Sequence, residues 1–246
     1  MKLTPEVYLV GGGDYSFNLS HRLDCHVYVI KSGNELVMID TGFDGPEEVL
    51  QNLREDGLDP SDISRIFITH YHADHTGALA RMKRLTGAKV VTGVEAAPAI
   101  RTADAVANGL KWAQQFNFYP PEFVWEPTEV DQEFTDTEKF AIGNQELEAI
   151  LTPGHCNGHY CLLLRGGSRS YLFSSDLVFW GGTIILQNVP DSNVQQYSAS
   201  MNKVLTYEFD ALLPGHSCIS LRNGRRHVQR AANEFNKIGL PENMRL

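Results

Sequence analysis

The chain contains one dense polar stretch, Thr69-His70-Tyr71-His72-Ala73-Asp74-His75-Thr76-Gly77, directly after the apolar residues 66–68. Three histidines and one carboxylate fall within six residues of it. Imidazoles packed this closely without a partner cost desolvation energy and repel one another once protonated, whereas a divalent cation uses all four side chains as ligands. The stretch therefore predicts a metal site.

The spacing within the stretch favours two metal ions over one. If the preceding strand continues to His72, then His70 and His72 share a face, because side chains alternate along a strand. Asp74 and His75 fall where the chain has to turn into a helix. We therefore expect these two side chains to point towards a second position.

Length and composition indicate an ordinary soluble protein. The 246 residues suit one large domain or two small ones, with 42% apolar and 21% charged residues. A formal net charge of −9 argues against nucleic acid and against anionic membranes as partners. The chain has neither a long apolar run nor an apolar signal segment at its start, so we expect a cytoplasmic protein. The four cysteines are scattered and are interpreted as reduced thiols.

Apolar runs alternate with helical patterns along the chain. The first half predicts strands at 7–10, 27–30, 36–39, 65–68 and 89–92 and helices at 46–56 and 77–85. The second half predicts strands at 140–142, 147–151, 160–164, 171–174 and 211–213 and helices at 192–205 and 222–237. This alternation predicts an α/β fold in which helices cover the faces of sheets.

Residues 95–127 do not follow this pattern. Residues 95–115 predict a helix that is broken near Pro98 and Gly109, and an aromatic segment follows up to Trp125. The segment is compatible with a helical cap that packs its own small core, with a lid or pocket wall, and with a dimer contact.

Three further side chains stand at the ends of apolar strands, each in a turn of small residues. They are His155, Asp176 and His216. Strand ends in layered α/β folds gather at one edge, where ligands and metals bind. Asp40 also follows a strand, and it could be a turn residue or a carboxylate that orients a metal-bound histidine.

Five motifs therefore follow one another along the chain. They read Asp40-Thr41-Gly42, His70-x-His72-x-Asp74-His75, Thr152-Pro153-Gly154-His155, Ser175-Asp176 and Pro214-Gly215-His216. In this order they resemble the motifs of the metallo-β-lactamase superfamily, over about residues 25–218. The resemblance implies a single domain over 1–246, a four-layer αββα sandwich with metals at one edge of two facing sheets, and a helical and aromatic insertion at about 95–127.

The resemblance also implies a set of ligands for two divalent ions, most often Zn²⁺, with Fe²⁺ or Mn²⁺ as alternatives. It assigns His70, His72 and His155 to the first ion, Asp74, His75 and His216 to the second, and Asp176 to a bridge between them. Metal-bound hydroxide would then attack the substrate. Asp74 would orient this hydroxide and pass a proton to the leaving group.

Asp176 discriminates among branches of the superfamily. The familiar zinc β-lactamases carry a cysteine ligand in this region, whereas this chain reads Ser174-Ser175-Asp176, which resembles the glyoxalase II, lactonase and phosphodiesterase branches. We expect a hydrolase of a small ester, thioester or lactone. A phosphodiesterase acting on a small phosphate ester and a non-catalytic metal-binding protein remain as alternatives, and a homodimer stays open.

Four other residues lie close to the motifs. His159 could contact the substrate, orient a carboxylate or simply begin its strand, and Trp180 could form the floor of the pocket. Cys156 and Cys218 each follow a ligand histidine by one residue. We interpret them as small buried residues rather than as a redox switch, because neighbours in an extended turn point in opposite directions.

Overall fold

The computed structural model describes residues 1–244. The chain divides into two compact units, Met1–Phe134 and Thr135–Leu246. Each unit contains one β-sheet and its own helices. The prediction of a single domain concerns how these units are joined, and it stays a prediction.

The first unit contains a six-stranded sheet whose strands lie side by side in chain order. They are β1 Val7–Gly11, β2 Val27–Ser32, β3 Glu35–Ile39, β4 Ile63–Ile68, β5 Lys89–Gly93 and β6 Gln132–Phe134. The pairs β1/β2 and β2/β3 are antiparallel, and the strands from β3 to β6 are parallel. Because parallel strands end at the same edge, the residues that follow β3 and β4 are brought together there.

Five helices accompany this sheet: α1 Pro46–Glu55, α2 Ala73–Thr76, α3 Leu79–Thr86, α4 Ala97–Thr102 and α5 Leu110–Gln115. The helix predicted at 77–85 begins at Leu79 and is preceded by the separate turn α2. The helix predicted at 95–115, with breaks near Pro98 and Gly109, is two short helices. The break near Gly109 is confirmed, since residues 103 to 109 leave the helical conformation and Ala103 and Gly109 take positive φ angles of 49° and 74°. The break near Pro98 is wrong, because Pro98 lies in the first turn of α4, where a proline is tolerated. No helix within residues 1–244 is both long and apolar enough to cross a membrane.

The second unit contains a five-stranded sheet with the spatial order β11-β10-β9-β8-β7. Its strands are β7 Lys139–Ile142, β8 Gln145–Leu151, β9 Tyr160–Arg165, β10 Tyr171–Ser175 and β11 Ala211–Pro214. Neighbours from β7 to β10 are antiparallel, and β10 and β11 are parallel. Strands β8, β10 and β11 therefore run in the same direction and end at one edge.

One face of this second sheet packs against two helices, α6 Val194–Val204 and α7 Arg225–Asn236. The shared core contains Ile150, Cys161, Leu163, Leu172, Leu212, Tyr197, Met201, Val204, Val228, Ala231, Ala232 and Phe235. Ile150 pairs with Cys161 across β8 and β9, and Leu163 pairs with Leu172 across β9 and β10. Alternate residues of each strand thus anchor the sheet to the helices and hold its ligand-bearing edge in place.

Candidate metal centre

The first unit brings together the side chains of the dense stretch, named here the first ligand group: His70, His72, Asp74 and His75. Strand β4 ends at Ile68, the backbone stays extended at His72, and α2 begins at Ala73. The His70 ring lies 4.8 Å from the His72 ring and 4.1 Å from the His75 ring, measured between centroids. Asp74 Oδ2 lies 3.6 Å from His75 Nε2. His70 and His75 are fully buried.

Asp40 lies directly behind this group. His75 Nδ1 donates to Asp40 Oδ2 at 2.8 Å, and Thr69 donates its backbone N–H to Oδ1 at 2.9 Å and its hydroxyl to Oδ2 at 2.8 Å. Because a carboxylate only accepts, His75 carries its proton on Nδ1 and keeps the Nε2 lone pair for a ligand. Asp40 also takes a positive φ of 58°, which aspartate tolerates better than most residues. Asp40 is therefore both a turn residue and the partner of a histidine.

Two aromatic residues of the segment after α5 bond to the stretch that carries the first ligand group, one to a proposed ligand and one to the backbone of Thr76. Tyr119 donates its hydroxyl to Asp74 Oδ1 at 2.7 Å, and Trp125 donates Nε1–H to the backbone carbonyl of Thr76 at 3.1 Å. Among the alternatives for this segment, these contacts favour a wall of the site. The sequence did not single out Tyr119, because the two bonded residues are 45 positions apart.

Cys25 is a second neighbour of the first ligand group that sequence reasoning missed. Its sulfur and ligand atoms of Asp40 and His75 lie within 4.8 Å of one another. Complete burial raises the pKa of the Cys25 thiol. The thiol therefore stays neutral and fills space behind His75.

The second unit brings together His155, Asp176 and His216, named here the second ligand group. Asp176 Oδ2 lies 3.4 Å from His155 Nε2 and 3.6 Å from His216 Nε2. Asp176 is 2% exposed, and both histidines are also buried. One carboxylate oxygen of Asp176 thus lies near two imidazole nitrogens. The three residues meet because β8, β10 and β11 run in the same direction and end at one edge of the sheet.

The turn that carries His155 is shaped by Gly154. Its φ is +141°, and a Cβ at this position would lie 2.6 Å from the backbone nitrogen of Tyr197. The Tyr197 hydroxyl donates to the carbonyl of Ile185 at 2.6 Å and to that of Asp176 at 3.2 Å. Burial raises the pKa of Tyr197 well above its usual value, so the phenol keeps the proton that it donates.

His159 supports the second ligand group from behind. Its Nε2 accepts the backbone N–H of Asp176 at 3.1 Å, so its proton is on Nδ1, 2.9 Å from Thr152 Oγ1. This contact holds the backbone of Asp176 and does not involve its carboxyl group. The roles of His159 towards the substrate or a carboxylate stay predictions.

The donor atoms fit a tetrahedral metal site. Within the two groups the His–Asp nitrogen-to-oxygen distances of 3.4 to 3.6 Å are longer than a normal hydrogen bond. Two ligands that each lie ~2.0–2.2 Å from one tetrahedral ion are separated by roughly 3.3–3.6 Å. The mixture of imidazole and carboxylate donors also suits Zn²⁺.

The family model of the metallo-beta-lactamase superfamily matches residues 22–216. This chain belongs to that superfamily. The family predicted from the ordered motifs is thereby confirmed, and the match spans both ligand groups.

Curated relatives of this superfamily member include several named thioesterases, among them the following two. An atrochrysone carboxyl ACP thioesterase from Aspergillus fumigatus is 24% identical over 229 residues, which cover 92% of this chain and 60% of that protein. An acyl-coenzyme A thioesterase from Gallus gallus is 25% identical over 234 residues, which cover 87% of this chain and 79% of that protein. This chain therefore spans less than two thirds of the first relative.

Solved structures of metallo-β-lactamases share the fold. The HARLDQ-motif enzyme from Cronobacter sakazakii is similar with a TM-score of 0.73 and 20% identity, over 97% of this chain and 96% of that chain. The subclass B3 enzyme from Bradyrhizobium japonicum is similar with a TM-score of 0.71 and 23% identity, over 97% and 92%. The predicted α/β fold of the metallo-β-lactamase type is confirmed.

The expectation that Trp180 forms the floor of the pocket is not met. Trp180 is 41% exposed, and its ring contacts His227, 4.6 Å away, and the Arg226 guanidinium. Phe179 is the aromatic residue near a ligand, with its ring 6.1 Å from that of His216.

The thiols beside the ligand histidines also differ from each other. Cys156 is buried as predicted, but Cys218 is exposed, so the prediction of a buried residue is wrong there. The neighbouring Ser217 takes a positive φ of 68°. The turn is therefore not extended at this point, and the alternation on which the prediction relied does not apply.

Proposed function

We propose that this chain is a binuclear metal-dependent hydrolase that cleaves a small ester, thioester or lactone. The observation that carries the proposal is the 3.4 to 3.6 Å spacing between histidine nitrogens and the carboxylates of Asp74 and Asp176, which recurs in both units. Two bound divalent cations would polarise the carbonyl oxygen of the substrate and lower the pKa of a water molecule.

The proposed ligands combine the two groups according to the order of the family motifs. His70, His72 and His155 would hold one ion, Asp74, His75 and His216 would hold the other, and Asp176 would contribute to both. Zn²⁺ suits this mixture of imidazole and carboxylate, and Fe²⁺ and Mn²⁺ are the alternatives. The bond from His75 to Asp40 supports this assignment because it leaves the Nε2 lone pair available.

Asp74 also has the position for proton transfer. Its side chain is 13% exposed, whereas that of Asp176 is 3% exposed, so Asp74 is the carboxylate that solvent reaches. A carboxylate that orients water can accept its proton and deliver it to the leaving group. We assign this role to Asp74.

The relatives favour one bond type among the three. One is named for a thioester of a carrier protein and the other for a thioester of coenzyme A. We therefore propose that a small acyl thioester is the substrate. The net charge of −9 supports a small molecule over nucleic acid.

The test is a substrate panel under matched zinc loading. Acetyl-coenzyme A, a nitrophenyl ester, a lactone and bis-nitrophenyl phosphate would each be assayed with the wild type, Asp74→Ala and the exposed control Asp62→Asn. We expect acyl hydrolysis that falls at least ~100-fold in Asp74→Ala and is unchanged in Asp62→Asn.

Two outcomes would contradict this proposal. Turnover of bis-nitrophenyl phosphate alone would identify a phosphodiesterase that uses the same metals. No turnover of any substrate, combined with a lower melting temperature after chelation, would identify a metal site that serves stability alone.

A further inference from the structure

We propose that Tyr119 is a positioning residue that selects which oxygen of Asp74 binds metal. Its hydroxyl holds Oδ1, so that Oδ2 is the oxygen presented to the ion together with His75 Nε2. This inference rests on the metal binding proposed above for Asp74. It assigns a role to the aromatic segment, which carries none of the family motifs.

The two carboxylate oxygens of Asp74 have different neighbours. Oδ1 accepts from the Tyr119 hydroxyl at 2.7 Å, whereas Oδ2 lies 3.6 Å from His75 Nε2, the spacing of two ligands on one ion. An ionised carboxylate offers about four lone-pair positions, so without a partner it can rotate or bind an ion through both oxygens. A hydrogen bond to one oxygen removes that freedom.

Packing holds the tyrosine ring independently of Asp74. Tyr119 stacks on Phe43 at 5.1 Å between ring centroids with an interplanar angle of 11°. Phe118 meets the edge of the ring at 4.9 Å. Tyr119 is 7% exposed, and Phe43 is also buried. Because the ring is fixed by its neighbours, the hydroxyl is an organised donor and does not simply follow the carboxylate.

The segment around Tyr119 is itself braced. Gln114 Nε2 donates to the carbonyl of Pro120 at 2.9 Å and to that of Phe123 at 3.0 Å, which closes the loop that follows the tyrosine. Trp125 fixes the far end of this loop to Thr76, two residues after Asp74. The loop after Tyr119 is thus bonded to α5 and to Thr76.

The consequence is a defined orientation of the Asp74 carboxylate. A phenol that donates to Oδ1 stabilises the ionised carboxylate and directs the lone pairs of Oδ2. Groups that hydrogen-bond to a metal ligand commonly change metal affinity about 10–100-fold when they are removed. Tyr119 therefore affects both metal binding and turnover without contacting the metal.

The experiment compares three conservative variants. Tyr119→Phe deletes the hydroxyl, Trp125→Phe deletes a second side-chain bond between the segment and the stretch, and Tyr8→Phe makes the same chemical change on strand β1 of the same unit. Each apoprotein is titrated with Co²⁺, followed by its visible absorption, and with Zn²⁺ against a chromogenic chelator. Melting temperature, kcat and KM are measured alongside.

We expect Tyr119→Phe to bind one of two ions about 10–100-fold more weakly, with altered Co²⁺ absorption and a lower kcat at similar KM. Tyr8→Phe should match the wild type in metal affinity and kcat. Trp125→Phe should have a lower melting temperature but an unchanged metal affinity. If the wild type binds two ions and Tyr119→Phe binds them as tightly as Tyr8→Phe, the inference alone is refuted.

Two other results would also contradict the role proposed for Tyr119. If Trp125→Phe loses the same metal affinity as Tyr119→Phe, the effect comes from loosening the segment, and the selective role is refuted. If the wild type binds less than one ion per chain, the proposed function fails, and the role of Tyr119 fails with it.

Discussion

Replacing Asp40 by asparagine tests the local design of the first ligand group. The change keeps the size of the side chain and the tolerance for the positive φ of 58°, but it puts an amide NH₂ where one carboxylate oxygen accepts. Asp40 receives three hydrogen bonds, two from Thr69 and one from His75. At least one buried donor must therefore face another donor, or a partner must rearrange.

The magnitude follows from the two orientations of the amide. If its nitrogen replaces Oδ1, the Thr69 backbone N–H loses its acceptor, which costs about 1–3 kcal/mol of unfolding free energy. If its nitrogen replaces Oδ2, His75 must move its proton to Nε2, which removes the lone pair needed for metal. We expect a loss of about 1–3 kcal/mol in the apoprotein and a metal affinity that is lower by about 10–100-fold.

Two assays measure these effects separately. Urea unfolding in the presence of chelator gives the stability of the apoprotein, and competition with a chromogenic chelator gives the metal affinity. Asp62→Asn is the matched control, since it changes the net charge equally at an exposed position. If Asp40→Asn bound both ions as tightly as Asp62→Asn, the role assigned to Asp40 would be refuted.

Three further predictions concern strain, pH and metal. Gly154→Ala should lower the unfolding free energy measured in urea by about 1–3 kcal/mol, because the added Cβ would lie 2.6 Å from the backbone nitrogen of Tyr197. Gly57→Ala is the control, since Gly57 also has a positive φ but has no atom within 4 Å of the added Cβ. Equal losses in the two variants would exclude the clash as the cause. Burial raises the pKa of the Asp24 carboxyl group to about 7. The native protein therefore holds a proton that the unfolded chain releases above pH ~4. Because of this, the unfolding free energy of the apoprotein should fall as the pH rises from ~4 to 7. The decline of stability with pH should be shallower in Asp24→Asn than in the wild type. An equal decline in the two proteins would contradict the role assigned to Asp24. Chelation should lower the melting temperature, since a ligand at ~1,000 times its Kd stabilises by about 4 kcal/mol; an unchanged melting temperature would exclude tight metal binding.

The sequence carried most of the information about strand ends. Asp40 and His70 could be placed together because they follow parallel strands, and His155, Asp176 and His216 because β8, β10 and β11 run in the same direction. In the sequence these positions are marked by an apolar run that is followed by a turn of small residues, whereas the strand directions are seen only in the structure. Their assignment to particular metal ions stays a prediction.

Contacts made by irregular segments could not be predicted in this way. Tyr119 reaches Asp74 across 45 residues, and Asp24 accepts the Phe43 N–H across 19 residues, from loops without periodicity. Phe179 lies near His216 where Trp180 was expected, because the 3₁₀ turn that begins at Trp180 points that ring towards α7. In each case tertiary packing determines the partner.

Short helices and strands were also difficult to predict from the sequence. Strand β6 has three residues, Gln132–Phe134, and of these one is fully buried, so no alternating pattern marks it. Helices α4 and α5 have six residues each and are separated by residues with positive φ. The pattern over 95–115 indicated the break at Gly109 but not its beginning at Ala103, and it placed a further break at Pro98, which lies in the first turn of α4.

We propose that the two ligand groups together hold two metal ions. The most direct test is the metal content of purified protein after zinc loading and removal of excess metal, measured by elemental mass spectrometry for the wild type and for Asp176→Ala. We predict two ions per chain in the wild type and a clear loss in the variant. Less than one ion per chain in fully loaded wild-type protein would contradict the claim.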